Sequence, residues 1–461
     1  MRFLSEKVKR AGARALVLAL LPGLPATALA AGANVEAWVN APMPPGFHVE
    51  STEADGPVFA DAHGKTLYAW PFRRMRSGIA GESKGKPGCY GKVLTETAGL
   101  MSPYPAGIIL PELDKRPSCT DLWRPVQAAA DAKPVGKWTV LDRTDGIKQW
   151  AYNEQPLYTS VKDQVPGDVI GSAPRGGSGG GGDSPAYRVP VGPASLTAPG
   201  FKVRGTTTGR MLVNGKGYAV YSHEGDTATK ATCDAQCAQE WPPMLAPALA
   251  QAQAQAGGEW GIIDRASGER QWVFRGQPLY THANDSRPGS QEGSDIPGWH
   301  NVYTQPAPPP PPGFTVQDSI AGSVLADSRG MTVYVYNCGD DSQDQLSCDH
   351  PDDTQVYRLA ICGGGDAAKC RAYWPYVPAA KGAKSGSHMW SVLLIDPATG
   401  HRAKPGQADA LSVWAYRDRP VYTFSGDTRP GDVNGDGTGE WRGSRNGLKA
   451  LWIREEMLGG G

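Results

Sequence analysis

Apolar and polar positions alternate with a period of two through many short runs of this chain, and most runs close on a glycine-containing turn. VFADAHGKTLYAW from Val58, MLVNGKGYAVYSH from Met211 and VLADSRGMTVYVY from Val324 each read as strand, turn and strand. WTVLD, WGIID and WSVLL, beginning at Trp138, Trp260 and Trp390, read as strands that run into turns at Asp145-Gly146, Ser267-Gly268 and Thr399-Gly400. WAYNEQPLYT from Trp150, WVFRGQPLYT from Trp272 and WAYRDRPVYT from Trp414 read as two short strands around a tight turn. Pro156, Pro278 and Pro420 open the second of these strands. Proline lacks an amide donor, so that strand lies at a sheet edge or begins there. A helical reading suits only the Cys-x3-Trp region, where Thr232 caps ATCDAQCAQEW and sets Cys233 and Cys237 one turn apart.

These blocks recur in one order, three times. Each copy opens on Pro-Gly-Phe, at Phe47, Phe201 and Phe314, and later carries Cys-x3-Trp, at Cys119 and Trp123, Cys237 and Trp241, and Cys370 and Trp374. The predicted architecture is mainly β: three tandem small domains built as antiparallel meanders, each with a short helical Cys-x3-Trp element. The boundaries are repeat domains at 45–171, 198–304 and 312–455. A Gly/Ser-rich linker at 172–197 reads as a flexible tether, and a Pro-rich linker at 305–311 as a stiff polyproline II spacer.

Composition supports this picture. Glycine and proline make up 99 of 461 residues, about a fifth, well above the usual ~12 %, which fits many turns and disfavours a helical bundle. Residues 1–30 read as a signal peptide: a basic start with Arg2, Lys7, Lys9, Arg10 and Arg14, an apolar run from Ala15 to Leu24, and Ala28-Leu29-Ala30 as the cleavage pattern. No cysteine lies there to accept a lipid. The charges balance at 46 against 46, and loss of the leader leaves a formal −4, which disfavours a nucleic-acid partner. No later stretch is long enough to span a membrane. The chain therefore reads as exported, periplasmic or extracellular. In such a compartment eight cysteines read as disulfides.

Within each copy a shorter pattern, Tyr-x-aromatic-x-x-Asp, occurs twice. The front-half instances are Tyr68 with Trp70, Tyr221 with His223 and Asp226, and Tyr334 with Tyr336; Arg73 replaces the first acid and Asp340 stands one position late. The back-half instances are Tyr158 with Asp163, Tyr280 with His282 and Asp285, and Tyr422 with Phe424 and Asp427. In a strand the Tyr and the residue two further on share one face, and the Asp falls where its carboxylate can hold a turn. This is either a strand-end core element or an exposed aromatic platform for a glycan or peptide; the geometry favours the first.

GMTVY, CDAQCAQEWPPMLAP, RQWVFRGQPLYTHAND and RPVYTFSGDTRPGDVNGDGTGEW together resemble the bacterial family known as secreted repeat of unknown function, predicted lipoproteins with this motif. The resemblance spans all three copies and implies a tandem, extracytoplasmic β-rich protein with no assigned activity. Matching the copies pairs Cys119 with Cys89, Cys237 with Cys233 and Cys370 with Cys362, leaving Cys338 with Cys348; Cys338–Cys370 with Cys348–Cys362 is the other arrangement.

Two groups have metal-binding chemistry. Asp432, Asn434 and Asp436 spell the opening of a calcium loop, with Gly443 where a closing Glu belongs; that missing Glu favours a plain Gly-Asp turn over a partial calcium loop. His223, His282 and His300 in the second copy could bind copper or zinc alongside Asp226 and Asp285, although a histidine can simply replace a phenylalanine on a half-exposed strand. No catalytic motif is present and no Ser, His, Asp or Glu outside the structural pattern recurs in all three copies. The expected role is a non-enzymatic binding or structural module of the envelope or exterior, requiring no cofactor; the alternative is a metal-binding or redox accessory protein.

Overall fold

The computed structural model describes residues 35–70, 84–91, 118–171, 189–251, 259–337, 366–438 and 447–456. The leader, Arg73, Cys338, Asp340, Cys348, Cys362 and Gly443 lie outside them.

The protein is mainly β, and its three units share one topology. Each opens on an antiparallel hairpin: His48–Ser51 with Pro57–Ala60, Phe201–Thr206 with Gly209–Asn214, and Thr315–Ser319 with Gly322–Ala326. A five-stranded antiparallel sheet follows. In unit three its order is Trp390–Ile395, Leu411–Tyr416, Arg419–Tyr422, Tyr334–Asn337 and Gly447–Ala450. Unit one repeats this order with Trp138–Asp142, Lys148–Tyr152, Gln155–Ser160, Tyr68–Ala69 and Val189–Pro190, and adds a sixth strand, Trp123–Pro125, against Gln155–Ser160. In unit two Trp260–Asp264, Arg270–Phe274 and Gln277–Pro278 connect through an isolated Tyr280–Tyr221 bridge to Tyr221–His223 and Trp299–Asn301.

The tight turns of the back hairpins carry both central residues at positive φ: Asn153 and Glu154, Arg275 and Gly276, Arg417 and Asp418. That conformation matches the right-handed twist of the flanking strands. Pro156 and Pro420 are the second residues of strands that lie inside the sheet, with neighbours on both sides, so here proline marks a start rather than an edge. Val189–Pro190 falls in the stretch read as a Gly/Ser linker, yet it pairs with Tyr68–Ala69. A tether composition does not prevent its last residues from completing the sheet. Gln305 and Pro306, read as the start of the Pro-rich spacer, likewise belong to the strand Tyr303–Pro306.

An aromatic wedge forms the core of every unit. The Phe of Pro-Gly-Phe packs on the first Trp of the back half, with ring centroids 4.9 Å apart for Phe47–Trp138 and 4.8 Å for both Phe201–Trp260 and Phe314–Trp390. Tyr152, Phe274 and Tyr416 close the wedge at 5.3, 4.9 and 5.0 Å from the same Trp. Such pairs are worth about 0.5–1.5 kcal/mol each beyond the area they bury.

Each unit also touches the other two. The tip of the first hairpin in unit one, Thr52–Gly56, is five residues long, against two in units two and three (Thr207 and Thr208, Ile320 and Ala321). Its extra residues reach unit three. Glu53 accepts from Ser387 Oγ at 2.6 Å and His388 N at 2.9 Å, Ala54 joins the cluster of Met389, Trp390 and Trp414, and Asp55 pairs with buried Arg417 at 2.8 Å. Thr52 O accepts from Gln305 Nε2 of unit two. Units two and three meet where Glu456 accepts from Gln291 N at 2.6 Å and Ser290 Oγ at 3.0 Å.

Candidate functional site

The two motifs of a unit face each other across one strand pair. Tyr68 lies opposite Tyr158, Tyr221 opposite Tyr280, and Tyr334 opposite Tyr422. An antiparallel pair has a local twofold axis, so each Tyr stands near the acid that ends the other motif. The phenols therefore bond crosswise: Tyr68 Oη donates to Asp163 Oδ2 at 2.7 Å, Tyr334 Oη to Asp427 Oδ2 at 2.7 Å, and Tyr221 Oη to Asp285 Oδ2 at 3.0 Å. In unit two the exchange is reciprocal, with Tyr280 Oη donating to Asp226 Oδ2 at 2.7 Å.

All six tyrosines are fully buried, Trp70 and Tyr336 are buried, and His223 and Phe424 are half-buried, so the tyrosines build core rather than an exposed aromatic platform. Burial drives the electrostatics. It raises the Asp163 carboxyl to about 7 and Asp285 to about 6 against the phenol and amide donors that favour the ion, and it raises Asp427 in the same sense. Desolvation also raises the phenols of Tyr68, Tyr221, Tyr280 and Tyr334, so they remain donors.

The other oxygen of each acid closes the following loop, as the turn-holding reading expects. Asp163 Oδ1 accepts from Gly171 N at 3.2 Å, Asp285 Oδ1 from Glu292 N at 3.0 Å, Asp427 Oδ1 from Asn434 N at 2.9 Å and Asp226 Oδ1 from Thr232 N at 2.7 Å. The loops read Pro-Gly-x3-Gly and end at Gly171, Gly293 and Gly435. A Cβ on these glycines would come within 2.9, 2.6 and 2.5 Å of the rings of Trp123, Trp241 and Trp374 respectively. Gly293 N and Gly435 N donate to the Tyr221 and Tyr334 oxygens, both at 3.3 Å.

The calcium-like text of unit three is this same loop. Asp432 Oδ2 accepts from Thr428 N at 2.9 Å and Arg429 N at 3.0 Å, as Asp168 Oδ2 does from Gln164 N and Val165 N in unit one. Asn434 Nδ2 donates to Gly426 O, and half-buried Asp436 accepts from Ala450 N at 2.7 Å. Backbone groups thus occupy the residues read as cation ligands. Among the described residues, no three His, Cys, Asp or Glu side chains group as a metal sphere.

The Cys-x3-Trp element seats its Trp edge-on against the front Tyr: Trp123 on Tyr68 at 5.1 Å, Trp241 on Tyr221 at 5.3 Å and Trp374 on Tyr334 at 5.2 Å. Short helices precede it at Cys119–Leu122, Cys237–Glu240 and Ala367–Tyr373. In unit two the helix is shorter than the sequence reading: Asp234, not Thr232, receives the amides of Gln236 and Cys237, and Thr232 turns to Asp226. Cys89 bonds to Cys119 and Cys233 to Cys237; Cys370 is disulfide-bonded as well, with its partner outside the described residues. By loop entropy the first bridge stabilises by about 4 kcal/mol and the second, over a far shorter loop, by about 2 kcal/mol.

A clamp that sequence reasoning missed ties the bridges to the sheet. Arg143 donates to Gln149 Oε1 at 2.8 Å and Cys89 O at 2.7 Å; Arg265 donates to Gln271 Oε1 and Cys233 O, both at 2.6 Å. Its signal was the shared six-residue spacing from Arg to Gln.

The three histidines do not converge. They sit around a column of rings in which Trp241 and Trp299 stack at 3.7 Å, His282 covers Trp241 at 4.4 Å and His223 covers Trp299 at 4.7 Å. Two indoles therefore separate His223 from His282, and His300 is exposed near Glu224. Asp226 and Asp285 are held by the phenols. His282 is 4 % exposed, and neither ring nitrogen has a hydrogen-bond partner, which ordinarily costs about 1–3 kcal/mol per buried group. Its Nε2 lies 3.7 Å from Glu240 Oε1.

No curated protein and no solved structure matches this chain. No helix among the described residues is long and apolar enough to cross a membrane. A family model described as secreted repeat of unknown function matches at residues 139–173, 202–244 and 408–444. The first and third matches cover back halves and the second a front half, in keeping with two motifs that face each other as equals. That family model thus matches the chain three times, once in each unit.

Proposed function

We propose that this protein is an exported, non-enzymatic module of the periplasm or cell exterior, without a lipid anchor, whose repeated motif builds the fold while ligands meet its outer surface. The observation behind this reading is the crosswise bonding of buried phenols to buried carboxylates: among the described residues, the phenol and acid that recur in every unit are consumed by architecture. A secreted family description fits the exported part of the reading.

The test uses the full mature chain in a glycan and peptide binding screen, beside a panel of chromogenic ester, glycoside and phosphate substrates. Tyr280→Phe removes one phenol from its acid and is expected to lower stability by about 1 kcal/mol with any captured ligand still bound. Turnover of any substrate, or loss of binding by a Tyr280→Phe protein that melts like the parent, overturns the reading.

A further inference from the structure

We propose that unit two carries a site for a divalent transition-metal ion of the copper(II) or zinc class, with His282 as its floor and Glu240 as its rim. This goes beyond the architectural reading and does not depend on it. The buried imidazole offers two nitrogens without partners, and Nε2 stands 3.7 Å from the Glu240 carboxylate. Glu240 is exposed and lines a shallow surface groove with Asp234, Gln236, Cys237 and Gln239, a lining that carries two acids and no cation.

Comparing the units isolates the chemistry. The same two positions hold Leu122 and Ser160 in unit one and Tyr373 and Phe424 in unit three. A conserved backbone contact proves the equivalence: Val161 N donates to Leu122 O at 3.1 Å, Ala283 N to Glu240 O at 2.8 Å and Ser425 N to Tyr373 O at 2.9 Å. Phe424 stacks on Trp374 at 4.4 Å, and His282 lies tilted over Trp241 at the same distance. A plain ring therefore meets the packing need, and the imidazole adds only its nitrogens. A neutral imidazole beside a carboxylate suits copper and zinc, and two protein donors leave the remaining positions to water. His223 and His300 take no part.

The experiment titrates the full mature chain, stripped with chelator, with copper(II) and zinc salts in a calorimeter and follows the copper spectrum by electron paramagnetic resonance. One saturable equivalent with nitrogen coupling is expected. Affinity should fall at least tenfold in His282→Phe, which copies unit three and should fold, and also in Glu240→Gln, a change on the exposed rim. His300→Ala should bind as the parent does. Absence of saturable uptake, uptake unchanged in His282→Phe, or uptake lost in His300→Ala overturns the proposal.

Discussion

Units two and three meet one packing demand with opposite chemistry. In unit two, Arg265 and Gln271 clamp the back hairpin to the Cys233 carbonyl, and the Gln271 side-chain nitrogen donates to Leu279 O at 2.8 Å. In unit three the same two positions are Ile395 and Val413, packed with Leu393 and Ala415. The sheets nevertheless keep the same strand order. A fully satisfied polar network and an apolar cluster are interchangeable here because each fills the space and leaves no partner unmet. What the units share, the aromatic wedge and at least one phenol–carboxylate latch, is what the fold requires.

The shared part should yield the largest effects. Trp260→Ala and Trp390→Ala each remove the centre of a wedge, and each should destabilise by about 3–5 kcal/mol in chemical denaturation. Unequal losses would show that the two cores are less alike than their ring distances. Next comes the clamp. Arg265→Ala strands Gln271 and the Cys233 carbonyl and should cost about 1.5–3 kcal/mol, whereas Arg265→Ile with Gln271→Val, the unit-three pair, should recover most of that loss. A double variant as weak as the single one would break the equivalence.

A third comparison separates the latches by pH. Asp163 titrates at about 7 and Asp285 at about 6 in the fold, both above the ordinary carboxyl value of 3.8. Their folded forms favour the proton, so their contribution is fully present below pH ~4 and is lost as pH rises through 6 and then 7. Melting temperature should fall between pH 4 and 8, and Asp163→Asn should flatten the upper part of that fall. A melt that rises over this range in the parent would reverse the assigned sign.

The repeats, the tight turns and the core role of the motif were legible because they depend on local periodicity and turn chemistry. The crosswise latch was not. Tyr221 and Asp226 stand five apart, one on a strand and the other just past the turn that ends it, which suggests a partnership within the motif; only the register Tyr221 opposite Tyr280 sends each phenol to the other acid. The role of Gly435 was hidden for a related reason: it is set by Trp374, a contact 61 positions away along the chain. Histidine spacing likewise said nothing of the two indoles that part His223 from His282.

The long tip of the first hairpin fixes more than one contact. Glu53, Ala54 and Asp55 answer a notch found in unit three, and the two-residue tips of the other units have nothing to offer in their place. Modules that look alike are thus not exchangeable along the polypeptide: moving the first behind the third by circular permutation would preserve the fit only if the new linker let that tip return to Arg417.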